Sequence, residues 1–285
     1  MPQRAEHSRK GVTSLDMTGL TDPGRMRPEN EDAIGVHPEV GLAILADGMG
    51  GHQAGEVASG LAVDIITRHF AQAFMREFER NRQGHVPEAA MEVNAVYDAI
   101  ALANNAIYEM ARARPECAGM GSTVVIAVFY GDKLCVGHAG DSRLYRYRAG
   151  ELTQITQDHS VIQELVSRGL LTIEEAEQTV GKNLVTRALG VDAAVVPDVA
   201  EQPLEESDLY LLCSDGLNDM LPDEDIRKLL VEHEANLATA AERLVAEANE
   251  RGGADNISVI LTRAGKAFTR SRKAAQQLQT RYKQA

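Results

Sequence analysis

The chain has 285 residues, of which 44% are hydrophobic, and its formal net charge is −13. This length and composition allow one large domain with a buried core, and the negative charge argues against general binding to nucleic acids, whose phosphates attract clustered lysine and arginine. No apolar run is long enough to span a membrane, and residues 1–14 contain no apolar stretch of the kind found in signal peptides, so we expect a protein without a membrane span.

The cysteines are odd in number and lie far apart, at Cys117, Cys135 and Cys213. Each lies in or beside an apolar run, which favours buried thiols over a disulfide or zinc framework. We therefore expect a reducing, cytoplasmic environment.

Strand and helix signals occur in blocks along the chain. Residues 1–14 are polar and aperiodic and predict a mobile arm. The next blocks predict strands over 16–21, 33–37 and 41–46, then helices over 54–80 and from Pro87 to about Ala113. Strands over 122–130, 133–138 and 143–148 follow as a meander, and Ser160 to about Gly181 is predicted to be helical in pieces, interrupted at Gly169. The last block predicts a strand over 208–213, helices over 222–233 and 237–250, and a strand over 257–262.

These blocks do not alternate as a parallel βαβ series would. Hairpin-linked strands with helices kept apart from them are typical of an α+β protein, here an αββα sandwich of two stacked antiparallel sheets flanked by helix pairs. We divide the chain into the arm 1–14, a domain 15–263 with a flap at about 160–181, and a basic C-terminal tail 264–285. The tail is interpreted as a solvated end, with contact to lipid, nucleic acid or an acidic partner as alternatives.

Five short acidic islands lie at the edges of apolar runs. They are Glu31-Asp32, Asp47-Gly48, Asp141-Ser142, Asp215-Gly216 and Asp255-Asn256. Each alone could be an ordinary turn, because aspartate and glycine favour turns for local reasons. Together they deliver single carboxylates from several strand ends, which suits magnesium or manganese ions and predicts catalysis on phosphate.

Two further features support a phosphate site. Arg27 lies four residues before Glu31, and its planar fork can hold two phosphate oxygens at once. Asp47 closes a buried strand, and the glycines that follow it let the backbone bend and bring a carbonyl to a cation. A charged turn and a plain glycine-rich turn are the alternative interpretations of these segments.

From about Asp16 to Thr262 the chain resembles the bacterial metal-dependent protein phosphatases of type 2C. The segments that carry the resemblance are Arg27 with Asn30-Glu31-Asp32, Ala46-Asp47-Gly48-Met49-Gly50-Gly51-His52, Gly121-Ser122-Thr123, Gly140-Asp141-Ser142-Arg143, Asp158-His159-Ser160, Thr186-Arg187-Ala188-Leu189-Gly190, Ser214-Asp215-Gly216-Leu217 and Asp255-Asn256-Ile257-Ser258. The resemblance implies an αββα sandwich with metal ions at one end of the sheets.

The resemblance also implies a set of metal ligands. Asp47 would bridge two manganese or magnesium ions. Asp215 and Asp255 would complete the shell of one ion, and Glu31 with the Gly48 carbonyl would serve the other.

Three more positions match the family's pattern. Asp32 would be a ligand or an acceptor close behind the ligands, Asp141 would hold a third, weaker ion together with Asp215, and Arg27 would bind phosphate. The implied catalytic residues are thus Arg27, Asp47 and Asp215. A water bridging the two ions would attack phosphorus directly.

One departure concerns the proton for the leaving group. Eukaryotic members carry a histidine where this chain has Met49, and a thioether cannot donate a proton. A metal-bound water, such as one on the third ion, or solvent would then protonate the leaving group. His52, His138 and His159 are interpreted as structural.

The function that the resemblance implies is hydrolysis of phosphoserine and phosphothreonine in proteins, opposing bacterial serine/threonine kinases. We expect a monomer. The alternatives are a phosphatase-like regulatory binding protein and a hydrolase of small phosphoesters.

Overall fold

A computed structural model describes residues 15–51, 54–83, 91–179, 184–265 and 267–283. The predicted arm 1–14, His52, the predicted helix start at Pro87 and the predicted end of the flap at Gly181 lie outside these ranges. Among the described helices, none combines the length and apolar character that a membrane span needs.

The described strands are β1 Asp16–Asp22, β2 Asp32–His37, β3 Leu42–Met49, β4 Gly121–Ser122, β5 Val124–Tyr130, β6 Lys133–Ala139, β7 Arg143–Arg148, β8 Glu151–Gln154, β9 Asp198–Pro203, β10 Leu209–Cys213 and β11 Ile257–Arg263. The described helices are α1 Ala54–Arg82, α2 Met91–Ala113, α3 Val161–Ser167, α4 Ile173–Thr179, α5 Asp215–Asn218, α6 Asp223–Glu232, α7 Leu237–Glu250 and α8 Arg272–Lys283, with a short 3-10 turn at Pro115–Cys117.

The strands form two antiparallel sheets. One has the order β1–β11–β10–β7–β8, and the other has the order β2–β3–β5–β6–β9, with β4 beside β3. Consecutive side chains of a strand point to opposite faces, so each inner strand can bury both. In β3, Ile44 packs towards the helices, while its neighbours Ala43 and Leu45 pack between the sheets.

Three apolar clusters define the layers. One lies between α1, α2, α8 and the β3 sheet, a second lies between α6, α7 and the β10 sheet, and the third fills the space between the sheets. The predicted α+β class and αββα order are therefore confirmed.

Two strands were missed because they are polar. β8 has the sequence ELTQ and β9 has the sequence DVAEQP, and each lies at the edge of its sheet. Edge strands tolerate exposed polar and charged side chains, so they lack the apolar signal that marks an inner strand.

The predicted single strand 122–130 is broken at Thr123. The Thr123 amide donates to the carbonyl of Asp47 at 2.8 Å, and its hydroxyl accepts from the Asp47 amide at 3.2 Å. Thr123 thus leaves the regular ladder to hold the end of β3.

The interpretation of the C-terminal segment as a solvated end is wrong for the part that the structure describes. Phe268 is buried between the sheets, and Leu278 of α8 is buried against α1. Arg270 is 9% exposed, pairs with Glu77 at 3.1 Å and lies 3.5 Å above the Phe74 ring centroid. The many basic residues concealed this packing, because long cationic side chains can cover apolar surface.

Candidate active site

All but one of the predicted site residues line one cavity of about 200 Å³, although they come from distant parts of the chain. Its lining includes Arg27, Glu31, Asp47, Gly48, Asp141, Asp215 and Asp255. Asp32 is not part of the lining and lies buried close by, opposite Asp47 on the neighbouring strand.

Asp47 lies near the end of β3, and its backbone is held on both sides. Asp32 of β2 lies opposite Asp47 in the sheet, while the hydroxyl of Ser122 donates to the Asp47 carbonyl at 3.0 Å. The Thr123 hydroxyl, which accepts from the Asp47 amide, also lies 2.7 Å from the Ser142 hydroxyl. A chain of hydroxyl groups therefore links Asp47 to the loop that carries Asp141.

Glu31 lies against the start of α1. Its carbonyl accepts from the Gly48 amide at 3.0 Å and from the Ser59 hydroxyl at 2.5 Å. A β-carbon at Gly55 would lie 2.6 Å from the Glu31 carboxyl carbon, and one at Gly48 would lie 2.1 Å from the Gly55 carbonyl oxygen. Gly48 has to be glycine, because a β-carbon there would meet the backbone of α1, whereas a β-carbon at Gly55 would displace the Glu31 carboxylate.

Asp215 begins the short helix α5, directly after Ser214. The hydroxyl of Ser214 donates to Asp32 at 2.8 Å and accepts from the Ser258 amide at 2.9 Å. A β-carbon at Gly216 would lie 2.1 Å from the Asn256 carbonyl oxygen, so α5 and the start of β11 are in close contact. These contacts hold Asp215 and Asp255 side by side in the lining of the cavity.

Asp255 accepts a 2.7 Å ion-pair hydrogen bond from the Arg27 guanidinium, whose side chain is 48% exposed. This bond raises the pKa of Arg27, which stays cationic. Arg27 is thus aimed at the cavity while part of its fork faces solvent, where a phosphate group could reach it.

The side chain of Asn256 fixes the turn that carries Arg27 and Glu31. Its oxygen accepts from the Glu31 amide at 2.8 Å, and its nitrogen donates to the carbonyls of Pro23 and Glu29 at 3.0 and 2.9 Å. Asn256 is buried, so these bonds are shielded from water.

The remaining walls come from the loop after β6, the end of β3 and the segment that follows the two helices α3 and α4. They contribute Asp141, Met49 and Val185 respectively. Val185 bridges to Ser160 at the other end of that helical segment. Val185 thus lines the cavity from just beyond the predicted flap, and Met49 offers no proton donor there.

The carboxyl groups of the site strongly disfavour simultaneous ionisation. Burial is the main cause, and it raises the pKa of Asp32 and of Asp141 to about 6. Burial and the neighbouring aspartates raise the pKa of Asp47 and Asp215 well above the ordinary value. Burial also raises the pKa of Glu31, against the effect of an amide hydrogen bond from Gly55. A bound cation would remove this penalty.

The donor set fits divalent cations that prefer oxygen. Asp32 Oδ1 and Asp215 Oδ1 are buried and have no hydrogen-bond partner among the described residues, which is costly unless something else compensates them. In the same part of the chain, no three of the site's carboxylates bring oxygens within 4.8 Å of one another. This spacing is compatible with magnesium, which usually keeps several water ligands.

A separate group of possible ligand atoms, from His138, His159 and Asp198, does lie within 4.8 Å of one another. The Gly140 amide donates to His159 Nδ1 at 3.2 Å, and His159 Nε2 lies 3.2 Å from Asp198 and 3.1 Å from the Arg187 guanidinium. Both ring nitrogens thus have protein partners, and the guanidinium beside Nε2 would repel a metal ion. The stacked histidines instead support the loop that carries Asp141.

Sequence reasoning assigned no role to Thr123, Ser214, Asn256 or Val185. The first three lie within the segments that carry the family resemblance, so their position beside the acids was the available signal. Their roles depend on hydrogen bonds between distant segments, which a linear pattern does not reveal.

Comparison with known proteins agrees with this geometry. A family model described as protein phosphatase 2C matches residues 27–257. The chain belongs to the protein phosphatase 2C family. The serine/threonine phosphatase Stp of Listeria monocytogenes is 35% identical to this protein phosphatase 2C, over 85% of the chain and 92% of the relative. The serine/threonine protein phosphatase PstP of Mycobacterium tuberculosis is 38% identical, over 87% of the chain and 44% of the relative.

Solved structures of protein phosphatases 2C share the fold. A crystal structure of the Mycobacterium tuberculosis phosphatase PstP/Ppp has a TM-score of 0.76 at 36% identity and covers 88% of this chain and 99% of that chain. A structure of the catalytic domain of PstP in complex with two manganese ions has a TM-score of 0.73 at 37% identity, with 88% and 98% covered.

Proposed function

We propose that the acidic cavity is the active site of this protein serine/threonine phosphatase, which removes phosphate from phosphoserine and phosphothreonine in proteins. The observation that carries the proposal is that an arginine and five carboxylates from five separated segments line one cavity. Two of the acids in this region also have buried oxygens without a partner in the described part of the chain.

Two manganese or magnesium ions would be held by Glu31, the Gly48 carbonyl, Asp47, Asp215 and Asp255, and a third, weaker ion by Asp141 together with Asp215. Asp32, which lies opposite Asp47, would be a further ligand or a hydrogen-bond acceptor close to the ligands. The two-manganese complex of the similar PstP domain supports the two-ion part. When bound, the ions supply positive charge for the transferred phosphoryl group and make water more acidic.

The chain's own residues bind and orient the phosphate. Arg27 is positioned by Asp255 and can donate to two phosphoryl oxygens. Asn256 holds the turn that carries it. No side chain of the described cavity lining is placed as the acid for the leaving alkoxide, because Met49 occupies the position of the family's histidine. Solvent water is the proton source in this proposal.

Opposition to bacterial serine/threonine kinases, a cytoplasmic location and a monomeric state belong to the same proposal. The location is supported by the thiols of Cys117, Cys135 and Cys213, which are buried and free. A regulatory protein without catalysis is disfavoured, because the whole predicted ligand set is retained.

Hydrolysis of phosphopeptides tests the proposal. Turnover should require manganese or magnesium, stop with chelator, and fall at least about a hundredfold in Asp47→Asn and Asp215→Asn, as for loss of a central electrostatic group. Asp64→Asn, which changes a half-buried acid on α1, is the matched control and should leave turnover unchanged. Metal-independent turnover, or full activity in either site variant, would refute the mechanism. Turnover confined to small phosphoesters would favour the alternative substrate class.

A further inference from the structure

A second and larger cavity opens beside the acidic one. Its volume is about 740 Å³, and it shares Arg27, Glu31 and Gly50 with the acidic cavity. The other described residues of its lining, which we call the flanking groove, are Pro28, Glu29, Ala54, Val57, Glu116 and Cys117. Because the two cavities share a wall, a chain whose phosphate lies in the first can extend into the second.

The floor of the flanking groove is apolar. Ala54 and Val57 come from the first turn of α1, and Cys117 comes from the 3-10 turn that follows α2. Val57 is 40% exposed although it is a large aliphatic residue on a helix whose other face is buried. An exposed apolar side chain inside a concave surface of this size is typical of a ligand site.

The rim of the flanking groove is acidic. Glu29 and Glu116 are both exposed there, and Glu31 lies on the shared wall. Among the described residues that line either cavity, Arg27 is the only cation, and it is paired with Asp255. The groove therefore attracts positive charge and repels nucleic acid, anionic lipid and acidic peptides.

We propose that the flanking groove selects phosphoproteins in which the phosphorylated residue is flanked by an apolar side chain and a lysine or arginine. The apolar side chain packs on the exposed Val57, and the cation lies against Glu116 at the rim. Glu116 and Val57 are thus specificity-determining residues. This inference rests on the proposed function, since it names the sequences that the same active site prefers.

Synthetic phosphothreonine peptides test the preference. One series carries leucine and arginine beside the phosphothreonine, a second carries alanine, and a third carries glutamate, with positions scanned on both sides. The leucine and arginine series should have the highest kcat/KM, mainly through a lower KM. Equal kcat/KM for all three series would overturn the proposed selectivity of the flanking groove while leaving the proposed protein phosphatase activity intact. Failure to hydrolyse any phosphopeptide, with turnover of p-nitrophenyl phosphate, would overturn both proposals.

Substitutions in the flanking groove test which side chains cause the preference. Glu116→Lys should lower kcat/KM for the arginine peptides about three- to tenfold, because it replaces a weak surface attraction by repulsion. The decrease in kcat/KM should be greater for these peptides than for p-nitrophenyl phosphate, and kcat/KM for the glutamate peptides should rise. Val57→Ala should reduce the advantage of leucine over alanine. Glu242→Lys, which reverses an exposed charge on α7, is the matched control and should change neither rate. Equal effects of Glu116→Lys on peptides and on the small substrate would overturn the assignment.

Discussion

Asp32 and Asp47 lie directly opposite each other on β2 and β3, and Asp32 is buried while Asp47 is half-buried. Side chains in such a pair are close neighbours, and like charges there destabilise the sheet. Ser214 satisfies one oxygen of Asp32, while the other is buried without a partner among the described residues. The metal-free fold is therefore under electrostatic strain, and its stability should depend on pH and on cations.

The first prediction concerns the metal-free protein. Burial raises the pKa of Asp32 from 3.8 to about 6, so between these values the folded state binds more protons than the unfolded state. The contribution of Asp32 to the free energy of unfolding is therefore favourable at low pH and is lost as the pH rises towards neutrality. Asp32→Asn should raise the unfolding temperature in chelator more at about pH 7.5 than at about pH 5. Thermal unfolding of both proteins measures this, and an equal effect at both pH values would contradict it.

The second prediction concerns metal affinity. Ligand carboxylates must lose their protons before they bind a cation, and the pKa of Asp141 is raised to about 6 by burial and by Asp158. Manganese should therefore bind more weakly at about pH 5 than at about pH 7.5, with proton release on binding. Calorimetry in buffers of different ionisation enthalpy measures both quantities. Affinity that does not change with pH would show that the acids are already ionised.

The third prediction separates Asp141 from the other acids. If Asp141 helps to hold a third ion, Asp141→Ala should keep two bound manganese ions while turnover falls. Elemental analysis of the dialysed protein, together with phosphopeptide kinetics, measures both. Loss of all bound metal would contradict the separate assignment, and unchanged turnover would remove Asp141 from the mechanism.

The layers of the fold and the acids that line the cavity could be predicted because their signals are local. β10 is apolar along its length and β3 is apolar as far as Ala46, and Asp47 and Asp215 lie at or just beyond the ends of these strands. The polar edge strand β9 and the packing of α8 could not be predicted this way. Both are stabilised by distant partners, as in the contact of Arg270 with Glu77 and Phe74.

The fourth prediction concerns Arg27. Lysine keeps the charge but loses the planar fork, so Arg27→Lys should lower kcat/KM for phosphopeptides about ten- to a hundredfold, the scale of one or more charged hydrogen bonds. Arg25→Ala is the matched control. Arg25 is exposed, donates to the Asn249 carbonyl at 2.8 Å and does not line the cavity. Similar losses in both variants would indicate that the turn, and not the guanidinium of Arg27, is responsible.

The supporting contacts of the site were the part that sequence could not supply. Asn256 was visible only as a neighbour of Asp255, and nothing in its position indicated that its side chain reaches residues 23–31. The hydrogen bonds that the hydroxyl groups of Thr123 and Ser214 form also join segments that are distant in the sequence. A short polar residue beside an acid has many possible partners, and only the folded structure selects one.

The last prediction tests whether Asn256 positions the site. Asn256→Ala removes an acceptor from the Glu31 amide and a donor from two carbonyls, and should lower the free energy of unfolding by about 2–4 kcal/mol. It should also weaken metal binding and turnover, because the turn that carries Arg27 and Glu31 is no longer fixed.

Asn236→Ala separates positioning from simple destabilisation. Asn236 caps α7 by accepting from the amides of Ala238 and Thr239, so its loss should cost about 0.5–2 kcal/mol without affecting the cavity. Urea unfolding gives the stabilities, and kinetics are compared at a temperature at which both variants are folded. Asn256→Ala should then be the variant with weaker manganese binding and lower kcat. If the two variants lose activity only in proportion to stability, Asn256 has no positioning role, because the geometry of the turn does not then depend on its side chain.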